Sequence, residues 1–100
     1  MKRIIRRDCN PQICNVAYSP SSNHLVSVHG YSAPQSEENQ IRIWDGKQLR
    51  LEVAFGGHHK ARILGLAFDP EGKNFVTGSP DETLRFWNLE NLLENEQKAE

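Results

Sequence analysis

Read for apolar and polar positions, the chain divides into short segments that alternate with a period of two, each bounded by Pro, Gly, Asn or Asp. Successive side chains on a strand point to opposite faces, so this is the pattern of half-buried strands rather than of helices. Arg62 to Phe68 is predicted as one strand and Lys73 to Thr77 as the next, with Asp69-Pro70-Glu71-Gly72 turning between them. Thr83 to Asn88 gives a third, and Leu49 to Phe55 a fourth that links to what precedes it.

The segments also repeat. Ile13-Cys14-Asn15-Val16-Ala17-Tyr18-Ser19-Pro20 is echoed 50 positions later by Ile63-Leu64-Gly65-Leu66-Ala67-Phe68-Asp69-Pro70. Leu25-Val26-Ser27 is echoed at the same offset by Phe75-Val76-Thr77, whereas Ile41-Arg42-Ile43-Trp44 is echoed by Leu84-Arg85-Phe86-Trp87 only 43 positions later. The first copy therefore carries seven extra residues, which fall in the Ser/Pro/Gln/Glu-rich stretch Tyr31 to Asn39 and read as a surface loop. The chain thus divides into a remnant strand over 1–7, one copy over 8–55 with its insertion at 31–39, a second copy over 56–89, and a polar tail over 90–100. The tail is acidic and amide-rich and reads as a frayed helix or disorder.

Composition changes this picture little, but it narrows the function. One hundred residues, 37% hydrophobic and 25% charged, make one small domain of marginal stability. A formal net charge of -1 supplies no field to recruit nucleic acid or a membrane, and neither is expected as a partner. The apolar run among Lys2, Arg3, Ile4, Ile5, Arg6 and Arg7 is far too short for a signal core or a membrane span, so the chain is expected in the cytoplasm or nucleus. There Cys9 and Cys14 are not expected to pair.

Four antiparallel strands recurring every forty-odd residues, with Gly57-His58 before the first and a Trp ending the third, resemble the blade of a WD-repeat β-propeller. The expected fold is all-β: two four-stranded antiparallel blades of a partial propeller, seven or eight strands in total. In WD-repeat proteins the His of a Gly-His pair, a Ser or Thr on the second strand, an Asp in the following turn and the Trp form one hydrogen-bonded chain. His58, Thr77, Asp81 and Trp87 stand at matching spacings, and such a chain satisfies buried polar groups while fixing the turn. The first copy keeps Ser27 and Trp44 but lacks an upstream Gly-His pair, so its blade is expected to be less rigidly held.

A closer resemblance lies in Leu25-Val26-Ser27-Val28-His29-Gly30-Tyr31-Ser32, Asn39-Gln40-Ile41-Arg42-Ile43-Trp44, Gly57-His58-His59-Lys60-Ala61-Arg62-Ile63-Leu64 and Asp81-Glu82-Thr83-Leu84-Arg85-Phe86-Trp87. Over Gln12 to Leu89 these resemble the last two blades of the Fizzy and Fizzy-related coactivators of the anaphase-promoting complex, a cell-cycle ubiquitin ligase. The resemblance implies a docking platform for substrates that bear destruction-box and KEN-box degrons. By position it implies that Glu82 faces the degron's arginine, where a carboxylate can form a bidentate ion pair, and that Arg62 contacts the KEN motif, which carries a carboxylate. Two blades cannot close the ring of about seven that the family has, and the loop after Tyr31 is longer than the family's. Nothing here resembles the family's segment that binds the ligase core or its Ile-Arg tail. The chain reads as a fragment or a degenerate copy, and on its own it is not expected to activate the ligase.

Catalytic and metal chemistry is weakly represented. Cys9 and Cys14 have no second pair of zinc ligands, and the adjacent His58 and His59 should point apart on an extended segment. The basic residues among Lys2 to Arg7 read as the wet flank of an edge strand. No nucleophile arrangement, phosphate loop or paired catalytic carboxylates appears, so no enzyme, metal or cofactor is expected. Two other readings stay open: a WD-repeat scaffold of another pathway, and a truncated product without binding function.

Overall fold

The computed structural model describes residues 12–30 and 39–98. The expected remnant strand over 1–7 lies outside the described residues, as does all of the 31–39 insertion except Asn39. Seven strands and one helix follow in order: β1 (Ile13–Ser19), β2 (His24–His29), β3 (Gln40–Asp45), β4 (Leu51–Gly56), β5 (Gly65–Phe68), β6 (Asn74–Ser79), β7 (Thr83–Asn88) and α1 (Leu89–Lys98). They build two antiparallel meanders, a four-stranded sheet β1-β2-β3-β4 and a three-stranded sheet β5-β6-β7. Together these are two adjoining blades of a partial WD-repeat propeller.

Of the predicted strands, Thr83 to Asn88 appears unshifted as β7, and two of the shifted ends have a local cause. Arg62 and Ile63 stay out of the β5 ladder, the Ile63 N–H donating across to the His29 carbonyl at 3.3 Å, while Leu64, just ahead of β5, still donates to the Gly78 carbonyl at 3.0 Å. Leu49 is not part of β4. Its N–H closes a turn on the Asp45 carbonyl at 2.8 Å, and its φ of 56° is left-handed.

Among the described residues the second sheet has three strands where four were expected. Of the two readings of the tail, a frayed helix or disorder, the structure takes the helix, and it packs. Leu89, Leu92 and Leu93 recur at helical spacing, and the Asn88 side chain accepts the Asn91 N–H at 2.9 Å as an N-terminal cap. Leu89 is buried in the core, with Leu92 and Leu93 packed against it.

The core lies between the two sheets. Val26, Val28, Ile41, Ile43 and Val53 from the first meet Ile63, Phe75 and Leu89 from the second half of the chain. Each such side chain contributes about 1.5–3 kcal/mol on burial, which is the main force holding the sheets together. Polar ties mark both ends of the seam: Asn39 Nδ2 donates to the His59 carbonyl at 3.2 Å, and the Ser19 hydroxyl donates to the Gly72 carbonyl at 2.8 Å.

Candidate functional site

The β6–β7 turn is where the chemistry gathers. Ser79 to Glu82 closes with the Glu82 N–H donating to the Ser79 carbonyl at 3.0 Å, followed by a left-handed Glu82 at φ 72°. This three-residue connection is a common hairpin form, in which the left-handed position usually prefers glycine.

The turn aims Asp81 inward, where its carboxylate collects donors. Oδ1 accepts the Thr83 N–H at 3.0 Å and the Thr83 hydroxyl at 2.5 Å, while Oδ2 accepts the Lys60 N–H at 2.7 Å and lies 3.2 Å from His59 Nδ1. Burial alone would raise the Asp81 pKa. The hydrogen bonds from Thr83, Lys60 and His59 outweigh burial and hold the carboxyl well below the usual range.

The chain of bonds continues from His59 Nε2 to the Thr77 hydroxyl at 2.8 Å, and Trp87 Nε1–H donates to the same hydroxyl at 2.9 Å. Donor counting sets the protons. The Asp81 carboxylate can only accept, so Nδ1 carries the proton directed at it; neutral His59 then accepts at Nε2 from the Thr77 hydroxyl, which itself accepts from Trp87. His59 is neutral in this arrangement. Burial lowers its pKa, and the nearby Arg85 and His58 add to that, against the opposing pull of Asp81.

The imidazole expected in this network was His58, and the structure corrects that to His59. His58 is exposed instead, with its ring edge-on to Phe55 at 5.6 Å and to Trp87 at 5.2 Å. Neighbouring side chains on an extended segment diverge, and after Gly57, at φ 88°, it is the second His that faces Thr77. Spacing alone could not separate two adjacent histidines. Thr77, Asp81 and Trp87 occupy the places expected of them.

In the first sheet the missing imidazole is supplied from within β2. The Ser27 hydroxyl lies 2.7 Å from His29 Nε2 and accepts Trp44 Nε1–H at 2.9 Å. His29 and Ser27 are two apart on one strand and so share a face, a signal present in the sequence but masked by the search for an upstream Gly-His pair.

Glu82 and Arg62 come to the same end of the molecule. Glu82 is exposed at the turn tip, next to the Asp81 that binds the Lys60 N–H; Arg62 is half-buried two residues beyond Lys60. The Arg62 backbone lies on Gly30, where an added Cβ would sit 2.5 Å from the Arg62 Cα. Beside it Asn39 is buried, and its Oδ1 has no hydrogen-bond partner among the described residues. Sequence reasoning missed Asn39, because an Asn after a loop insertion reads as a turn residue.

The basic residues of Lys2 to Arg7 and Cys9 lie outside the described residues. Cys14 is half-buried in β1, and burial pushes its thiol pKa up, which suits a structural residue. At the opposite end of the first sheet, His24, Asp45 and Glu52 bring three ligand atoms within 4.8 Å of one another, a donor set able to hold a divalent cation. His24 Nε2 and Glu52 Oε1, 3.1 Å apart, already satisfy each other.

Residues 3–45 and 49–88 match the WD domain, G-beta repeat. This chain belongs to the WD40 repeat family. Its curated relatives include the B-type cell cycle switch protein ccs52B of Medicago truncatula, 46% identical over 82% of this chain, and Protein FIZZY-RELATED 1 of Arabidopsis thaliana, 45% identical over the same share. The anaphase-promoting complex subunit cdh1 of Dictyostelium discoideum is 43% identical, again over 82% of the chain. The WD40 chain spans only 16%, 16% and 10% of these three relatives. Among solved structures, a chain of the Crystal Structure of Mitotic Checkpoint Complex aligns with a TM-score of 0.66 and 30% identity, covering 78% of this WD40 chain and 23% of that one. The Fizzy-related resemblance read from the sequence is thus matched by named relatives.

Proposed function

We propose that this chain supplies the last two blades of a Fizzy-related substrate adaptor of the anaphase-promoting complex, working by recognition of degrons rather than by catalysis. The observation that carries the proposal is the divergence of two adjacent carboxylates. Asp81 is consumed inward by Thr83, Lys60 and His59, while Glu82 stands exposed at the rim on left-handed backbone. Strained, non-glycine backbone held by its surroundings is typical of binding sites, and an exposed carboxylate there suits an arginine side chain. The half-buried Arg62 at the same rim suits a carboxylate, as the KEN motif offers. The Fizzy-related and cdh1 names of the relatives, and the checkpoint-complex neighbour, favour this pathway over that of an unrelated WD-repeat scaffold.

The test uses a closed propeller, a chimera in which this chain replaces the corresponding repeats of the Medicago truncatula relative ccs52B. Fluorescence anisotropy with destruction-box and KEN peptides should detect binding of both. Glu82→Lys should selectively weaken the first and Arg62→Glu the second. Unchanged affinities in both variants would remove the two site assignments, and failure of the parent chimera to bind either peptide would remove the function.

A further inference from the structure

The two copies differ at one polar pair. In the second, Asn74 and Asn88 stand opposite each other on β6 and β7, and Asn88 Nδ2 donates to Asn74 Oδ1 at 2.9 Å. Moved back by the repeat offsets of 50 and 43, these positions are His24 and Asp45, which stand opposite each other on β2 and β3. The first copy thus holds two side chains able to ligate a metal where the second holds two neutral amides bonded to each other.

A third ligand comes from β4. The β3–β4 ladder pairs Ile43 with Val53 and Trp44 with Leu51, so Glu52 is the extra residue of a bulge. A bulge re-aims a side chain. Glu52 reaches past β3 and places Oε1 3.1 Å from His24 Nε2. One nitrogen of His24, one oxygen of Asp45 and one of Glu52 lie within 4.8 Å of one another, all on half-buried side chains.

Two further observations separate this cluster from an ordinary ion pair. The Gln48 N–H donates to Asp45 Oδ2 at 2.9 Å and orients that carboxylate, as a supporting hydrogen bond does for a metal ligand. His24 Nδ1 is buried and has no hydrogen-bond partner among the described residues. The bond to Glu52 satisfies Nε2 but leaves the ring incomplete, and a buried nitrogen without a partner calls for a group from outside the chain. With the proton on Nε2 the free lone pair is on Nδ1, and with the proton on Nδ1 it is on Nε2. Either tautomer offers a cation one nitrogen.

We propose that His24, Asp45 and Glu52 bind one divalent cation of the zinc class. A nitrogen with two carboxylate oxygens suits zinc better than magnesium or calcium, which take oxygen ligands. The two carboxylates balance its charge, and three protein ligands leave a fourth position for water. Ligand atoms around a tetrahedral zinc lie about 3.3 Å apart, so a small side-chain movement closes the set. The cation ties β2, β3 and β4 together at the end of the sheet opposite His29. This site is independent of degron binding.

Isothermal titration of the 100-residue chain with zinc chloride tests it. One zinc should bind with a micromolar dissociation constant, and the thermal midpoint should rise with zinc, because a ligand held by the folded state stabilises it. His24→Asn combined with Asp45→Asn rebuilds the amide pair of the second copy, so this double variant should keep its strand circular dichroism and lose zinc binding. Even the loss of an outer-shell partner costs about 10–100-fold in metal affinity, so Glu52→Gln should weaken zinc by at least about tenfold. Failure of wild type to take up zinc, uptake only at millimolar zinc, or uptake that the double variant retains would each overturn the proposal. Displacement of zinc by equimolar magnesium would overturn the assigned class of cation.

Discussion

His59 Nδ1 lies 3.2 Å from Asp81 Oδ2, while His58, one residue earlier, touches only ring edges among the contacts described above. The two neighbours should therefore respond very differently to truncation. His59→Ala leaves Thr77 and Asp81 with unmet partners in a buried site and should cost about 2–3 kcal/mol, whereas His58→Ala should cost no more than about 1 kcal/mol. Urea denaturation of the two variants checks this, and equal losses would contradict the assignment of His59.

The same contact sets a pH dependence. Burial depresses the His59 pKa below its ordinary 6.5, so on acidification the unfolded chain binds this proton before the folded one does. Stability from this group is complete above about pH 6.5 and falls as the pH drops toward the folded value. Asp81 is depressed as well and acts in the same direction below the ordinary carboxylate range. The urea midpoint of wild type should decline between about pH 7.5 and 5, and His59→Gln should lose most of that slope.

At Glu82 stability and binding should move in opposite directions. A glycine accepts φ near 72° without the cost an L side chain bears, so Glu82→Gly should stabilise the fold by about 1 kcal/mol. In the closed chimera the same change should weaken an arginine-bearing peptide by about tenfold, the value of one charge-assisted hydrogen bond. A gain in stability with unaltered affinity would mean that Glu82 is only a tolerated turn residue.

Gly30 and Gly57 form a matched pair of positive-φ glycines. At Gly30 a Cβ would lie 2.5 Å from the Arg62 Cα and 2.7 Å from Asn39 Oδ1, whereas at Gly57 it would meet nothing within 4 Å. Gly30→Ala should cost more than about 2 kcal/mol by forcing the two sheets apart, while Gly57→Ala should cost only the backbone term of about 1 kcal/mol. Thermal melts of the two variants give the comparison.

Much of the fold was legible in the chain. Period-two alternation and the offsets of 50 and 43 point to seven or eight strands, of which seven are seen among the described residues, and Thr83 to Asn88 matches the observed β7 end to end. These features are local or repeated, so each strand carries its own signal. The tail was left open between a frayed helix and disorder because its three leucines sit among charged and amide residues that lower the average hydrophobicity. Only the packing of Leu89 into the core reveals its face.

For the candidate site, the WD-repeat resemblance implied an inward Asp81, and a turn that ties one carboxylate directs its neighbour Glu82 away. Which histidine completes the network was not decidable from the chain, because His58 and His59 are chemically identical and one position apart. The backbone path after Gly57 decides it by turning one ring toward Thr77 and the other toward Phe55 and Trp87. The same holds for His29 in the first sheet and for Asn39 beside Arg62: alternation assigns a side chain to a face, but only the contact of one sheet with the other determines what that face meets.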